Sequence, residues 1–135
     1  MKLADASGRI IENPTVDAIE NEIRALPGGI DSFLILSRDE MTYVQTAGGG
    51  GEPFTLEYQD GSLEMHYRAI GDVTLESVIK VFQAYAHERA SWRNVVQWER
   101  EDLAAYQRGS GAKVGMIAGL ILVVAVVVYW WLSAV

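Results

Sequence analysis

Apolar positions along the chain follow three successive patterns. In "NPTVDAIENEIRALPGG", Val16, Ile19, Ile23 and Leu26 recur at spacings of three and four, the period of an amphipathic helix. Asn13 is placed to cap this helix and Pro14 to open it, where a missing N–H costs nothing. Asp17 and Glu20 sit early, where the macrodipole favours acid, and Pro27, Gly28 and Gly29 end the run. Leu75, Val78, Ile79, Phe82 and Ala86 repeat the pattern behind a cap at Asp72 or Thr74.

Outside the helices the period falls to two. Ile10 and Ile11 mark a weak first strand, and Phe33 to Leu36 a buried one. In "MTYVQTA", Met41, Tyr43 and Gln45 face one way, and Thr42, Val44 and Thr46 the other. "GGGGEP" reads as a mobile loop. It lacks the Lys-Ser/Thr ending of a phosphate loop and opens onto no helix. In "FTLEYQDGSLEMHYRAI", two alternating runs flank Asp60-Gly61, a hairpin signal, with Leu63, Met65 and Tyr67 sharing one face of the return strand. A final strand is expected from Asn94 to Glu99. The order β-α-β-β-β-β-α-β predicts a two-layer α+β domain over residues 1–101. Its sheet is mostly antiparallel, of about five to six strands, with two helices on one face.

The third pattern is unbroken. Residues 114–135 contain no charge and no proline. As a helix rising about 1.5 Å per residue they extend about 33 Å, enough for a hydrocarbon core of about 30 Å. This predicts a single C-terminal transmembrane helix in the manner of tail-anchored proteins. Residues 102–113 form a linker, or a helical extension through Leu103, Ala104, Ala105 and Tyr106. Arg100, Arg108 and Lys113 precede the span and no charge follows it, which places the domain in the cytoplasm and the C-terminus outside. Tyr129, Trp130 and Trp131 suit the far membrane interface. Gly111, Gly115 and Gly119 recur every four residues, so that one helix face admits close packing against another helix, from a second copy or a different protein.

Composition narrows the chemistry. There are no cysteines, which removes disulfides, thiolate metal sites and cysteine nucleophiles. The net charge is -7, and residues 1–107 hold all eighteen acids but nine of the eleven bases. Such a surface repels nucleic acid; its ordinary reading is solubility, and attraction of a basic partner is the alternative. Two histidines are present. Glu64, His66 and Arg68 form a polar stripe that reads first as a solvated strand face, with an enzyme using His66 as a remote alternative. His87 belongs to a polar helix end. No nucleophile elbow, spaced carboxylate pair or calcium loop occurs, and no cofactor or metal is expected. Trp92, Arg93 and Trp98 are the residue types that most often dominate protein interfaces. Core packing is the competing reading, evenly so for Trp92 and the more ordinary one for Trp98.

The stretches "DSFLILSRDEMTYVQTAGG", "FTLEYQDGSLEMHYRA" and "VIKVFQAYAHERASWRNVVQWE" resemble a group of small bacterial α+β proteins, distantly similar to immunity proteins of polymorphic toxin systems. The resemblance runs from Pro14 to Glu99. It rests chiefly on the L-E-Y-Q-D-G-S hairpin and the S-W-R…W-E ending, and it implies no catalytic residues. The apolar tail departs from the soluble members of that group. The expected function is a non-enzymatic interaction module anchored in the bacterial inner membrane. It would serve as an accessory single-span subunit or partner of an integral membrane complex, or, alternatively, as a membrane-tethered immunity protein that neutralises a toxin.

Overall fold

The computed structural model describes residues 1–108, and within them the alternating segments assemble into one antiparallel sheet of seven strands. The strands are β1 (Lys2–Asp5), β2 (Ile10–Glu12), β3 (Phe33–Asp39), β4 (Thr42–Gly49), β5 (Glu52–Asp60), β6 (His66–Ala69) and β7 (Trp98–Glu101). Their order across the sheet is β2-β1-β3-β4-β5-β6-β7. Three helices accompany them: α1 (Val16–Arg24), α2 (Leu75–Ala86) and α3 (Leu103–Arg108). The fold is therefore α+β, as the sequence pattern implies.

The strand count exceeds the expected five to six because "KLAD" also pairs. Leu3 sits opposite both Ile11 and Leu36, so β1 is inserted between β2 and β3, and α1 carries the chain across it. Only Leu3 of β1 is buried, too little apolar signal in four residues to announce a strand.

Both long helices cover one face of the sheet. Ile19 and Ile23 of α1 and Val78, Ile79, Val81 and Phe82 of α2 share a core with Leu3, Leu34, Leu36, Val44 and Leu56. Fully burying such a side chain contributes about 1.5–3 kcal/mol, so this layer is the main source of stability. The α1 stripe is the expected one, but its cap is Thr15, whose hydroxyl accepts from the Ala18 N–H. Asn13 instead takes a left-handed conformation and accepts a hydrogen bond from the N-terminal ammonium of Met1. In α2 the cap is Thr74, accepting from the Ser77 N–H. Its buried face is wider than the sequence stripe and includes Val81 and Tyr85, because α2 also meets α1 and the segment that follows it.

Two expected strands are shorter than their alternation suggests. Leu63–Met65 is a 3₁₀ turn, and pairing resumes only where His66 sits opposite Gln59. Asp60-Gly61 therefore opens a longer connection and not a two-residue hairpin. Likewise Ala90–Asn94 is a 3₁₀ turn, and the last strand spans Trp98–Glu101 instead of Asn94 to Glu99. The glycine run is ordered by pairing. Gly49 sits opposite Glu52, leaving Gly50 and Gly51 as a two-residue turn, both with positive φ, the geometry that twisted hairpins favour. Leu103, expected in the linker, is buried, and α3 packs against the Leu63–Met65 turn. Among the described residues no helix is long and apolar enough to cross a membrane. The proposed span 114–135, with Gly115, Gly119, Tyr129, Trp130 and Trp131, lies outside them, as does Gly111.

Candidate functional site

The sheet face opposite the long helices carries the chemistry. Strand register lines up two rows of side chains there. One row is Tyr43 on β4, Gln59 on β5, His66 on β6 and Glu101 on β7. The next is Gln45, Glu57, Arg68 and Glu99. Alternation makes this inevitable once Val44, Leu56 and Tyr58 face the helices. On a central strand, burial then forces these polar groups to find partners.

Most do. The Tyr43 hydroxyl donates to Gln59 Oε1 at 3.3 Å, and the Gln59 amide donates to the Met41 carbonyl at 3.2 Å. His66 Nδ1 lies 3.2 Å from the same Gln59 oxygen, and Nε2 lies 3.4 Å from Glu57 Oε2. The Gln45 amide donates to that Glu57 oxygen too. Gln45 Oε1 is buried and makes no hydrogen bond. Burial pushes the Tyr43 hydroxyl well above its ordinary range, and the Glu57 carboxylate pushes the same way. Burial also raises Glu101, helped by Glu57 and opposed by Arg68, 4.0 Å away.

His66 thus has the partners of an acid–base group, but it is 0 % exposed. The expectation of a solvated Glu64-His66-Arg68 stripe fails on two counts. Glu64 belongs to the 3₁₀ turn, and His66 is sealed into a hydrogen-bonded cluster. Tyr43, Gln45, Glu57 and Gln59 are the members that sequence reasoning missed. Their signal was polar alternation on β4 and β5, which reads equally as an exposed face. Among the described residues no group of three or more His, Cys, Asp or Glu is placed to hold a metal ion.

The three candidate interface residues lie on the helix side, where β7 meets the turn after α2. Trp92 is 6 % exposed and belongs to the core. Its ring meets Tyr58 edge-on at 4.6 Å, Tyr85 at 5.3 Å and Trp98 at 5.9 Å. Of the two readings of Trp92, the structure shows the core packing. The 3₁₀ turn folds its indole inward over β5. Trp98 is half-buried, edge-on to Tyr58 at 4.7 Å, with its indole N–H donating to the Arg93 carbonyl at 3.0 Å. Arg93 remains exposed. Its guanidinium lies 5.1 Å from the Trp92 ring centre and 5.6 Å from that of Tyr58, and it pairs with Asp60 at 3.2 Å. The structure thus unites the three residues into one packed aromatic cluster, with Arg93 over Trp92 and Tyr58 and Arg38 over Tyr85 at 4.8 Å.

Comparison with known proteins finds no match for this chain, whether to a family model, a curated protein or a solved structure.

Proposed function

We propose that the chain is a non-enzymatic protein-interaction module, held at a membrane by residues 114–135 and serving a membrane protein complex as an accessory single-span subunit. The observation that carries this reading is the contrast between the two clusters. His66, with its acid–base partners, is sealed inside the sheet, whereas Arg93 and half-buried Trp98 stand at the surface on a packed base. Aromatic rings have few rotatable bonds to freeze on binding, and Arg93 is already held against Asp60 and the Trp92 ring, so both meet a partner pre-organised; Trp, Tyr and Arg are the types enriched at interface hot spots. The excess of acid over base across residues 1–107 favours a basic protein surface over nucleic acid or anionic lipid. Placing a photo-crosslinking amino acid at Trp98 in cells tests the reading. One discrete protein adduct is expected; adducts spread over abundant proteins would overturn it.

A second reading draws on the aromatic cluster itself. The L-E-Y-Q-D-G-S and S-W-R…W-E segments meet there, Tyr58 touching both Trp92 and Trp98. A membrane-tethered immunity protein would use this unit to block a toxin. Protection of cells against the product of an adjacent toxin gene tests that version, and failure to protect rejects it.

A further inference from the structure

A groove of about 470 Å³ lies between the end of α1, the Gly50-Gly51 turn and the connection from β6 to α2. Its floor is apolar, formed by Ile23, Leu26, Phe54, Val73 and Leu75. A neighbouring depression of about 300 Å³ shares Pro53, Phe54 and Asp72 with it and is bordered by Ile70, which is 54 % exposed. One wall is bare backbone. A side chain on Gly49 would strike the Leu26 carbonyl, and one on Gly50 the Pro27 carbonyl. The hairpin and the end of α1 are thus locked together, and the groove is preformed.

The rim is acidic in a specific way. Glu52 and Asp72 line the groove, and Asp72 and Glu99 line the depression. Among the described residues none of the three takes part in an ion pair. The two arginines on the same walls are already committed, Arg24 to Glu20 at 3.2 Å and Arg68 to Glu101 at 4.0 Å. An apolar floor needs an apolar occupant, and two carboxylates without an ion pair on its rim, with Glu99 on the adjoining depression, favour cations beside that occupant. A second copy of this acidic domain would bring its own carboxylates to the rim and be repelled.

We propose that this groove docks a segment of the partner protein that presents an apolar side chain flanked by lysine or arginine. The proposal rests on the interaction-module reading and adds the chemistry of the partner. Glu52 and Asp72 steer and orient the segment, and Leu26, Phe54 and Val73 receive its apolar side chain.

The test uses the full chain, ¹⁵N-labelled in zwitterionic micelles, with two synthetic peptides as probes: acetyl-Lys-Leu-Lys-Leu-Lys-amide and its counterpart with Glu at every Lys. The basic peptide should shift the amide signals of Leu26, Gly49 to Gly51 and Val73, and the acidic one should leave them in place. Glu52→Lys with Asp72→Lys, both at exposed positions, should keep the remaining spectrum and weaken the basic peptide by roughly tenfold or more. Equal responses to both peptides, or shifts confined to other surfaces, would overturn the groove. If the groove fails while the Trp98 crosslink still yields one discrete adduct, the docking proposal falls and the interaction-module reading stands. If the basic peptide occupies the groove but the Trp98 adducts spread over abundant proteins, the reading centred on the aromatic cluster falls and the groove stands alone as a site for basic, apolar peptides.

Discussion

His66 Nε2 lies 3.4 Å from Glu57 Oε2, diagonally across β5 and β6, with the histidine fully shielded from solvent. A pair held this way contributes to stability. Removing one partner strands the other in a place water cannot reach. His66→Ala should therefore cost about 1–3 kcal/mol of unfolding free energy, and His66→Gln less, since an amide can still hydrogen-bond within the cluster. Urea unfolding of both variants checks this; a His66→Ala loss below about 0.5 kcal/mol, the scale of an exposed pair, would contradict it.

Glycines of one turn should differ sharply in tolerance. Gly49→Ala drives a methyl into the Leu26 carbonyl and Leu26 Cβ, neither of which can retreat without moving α1. Gly51 also has a positive φ, of 89°, but nothing lies within 4 Å of a side chain there. Gly51→Ala should lose only the left-handed backbone cost, about 1–2 kcal/mol, whereas Gly49→Ala should lose more than about 3 kcal/mol or fail to fold. Thermal unfolding of the two variants side by side gives the answer.

Both long helices and the antiparallel character of the sheet are legible in the chain because each is set by local periodicity and short connections, while the α2 cap is narrowed only to Asp72 or Thr74. What escapes is set by partners distant in sequence. "KLAD" becomes a strand only because Leu36 and Ile11 flank Leu3. The Gly48 to Gly51 run looks flexible until the close approach of Leu26 and Pro27 explains it. The polar cluster escapes for the same reason. Alternation places Glu57 and Gln59 on one face, but only the register with Gln45 and His66 turns that face into a network.

Glu101 predicts a pH dependence. Its carboxyl is raised from 4.5 chiefly by burial, with Glu57 adding repulsion. A raised group binds its proton more tightly in the folded state. Its contribution is fully present below the unfolded pKa and is lost as pH rises through the folded one. Glu101→Gln removes this loss. The variant should match the wild type near pH 4 and exceed it progressively as pH rises toward neutrality. Denaturant midpoints across that interval test the sign, and a gap that narrows with rising pH would reverse it.

The apolar C-terminal segment should confer membrane residence. The full chain should sediment with membranes and resist extraction by high salt and by alkali, and a reporter after Val135 should face outward. Replacing Gly115 and Gly119 with Leu should leave sedimentation intact and lower recovery of an integral partner, because bulk is added where backbones approach. Release of the wild type by salt alone contradicts a spanning segment.

The most direct test of the interaction-module account is recovery of a partner from native membranes in mild detergent, compared between the wild type and Arg93→Glu. Arg93 is exposed, and its pair with Asp60 and its contacts with the Trp92 and Tyr58 rings are surface interactions, so the fold should lose about 1–2 kcal/mol. We predict that both chains sediment with membranes and are folded by circular dichroism, while the variant recovers roughly tenfold less of the partner. Equal recovery by the two chains would contradict the account.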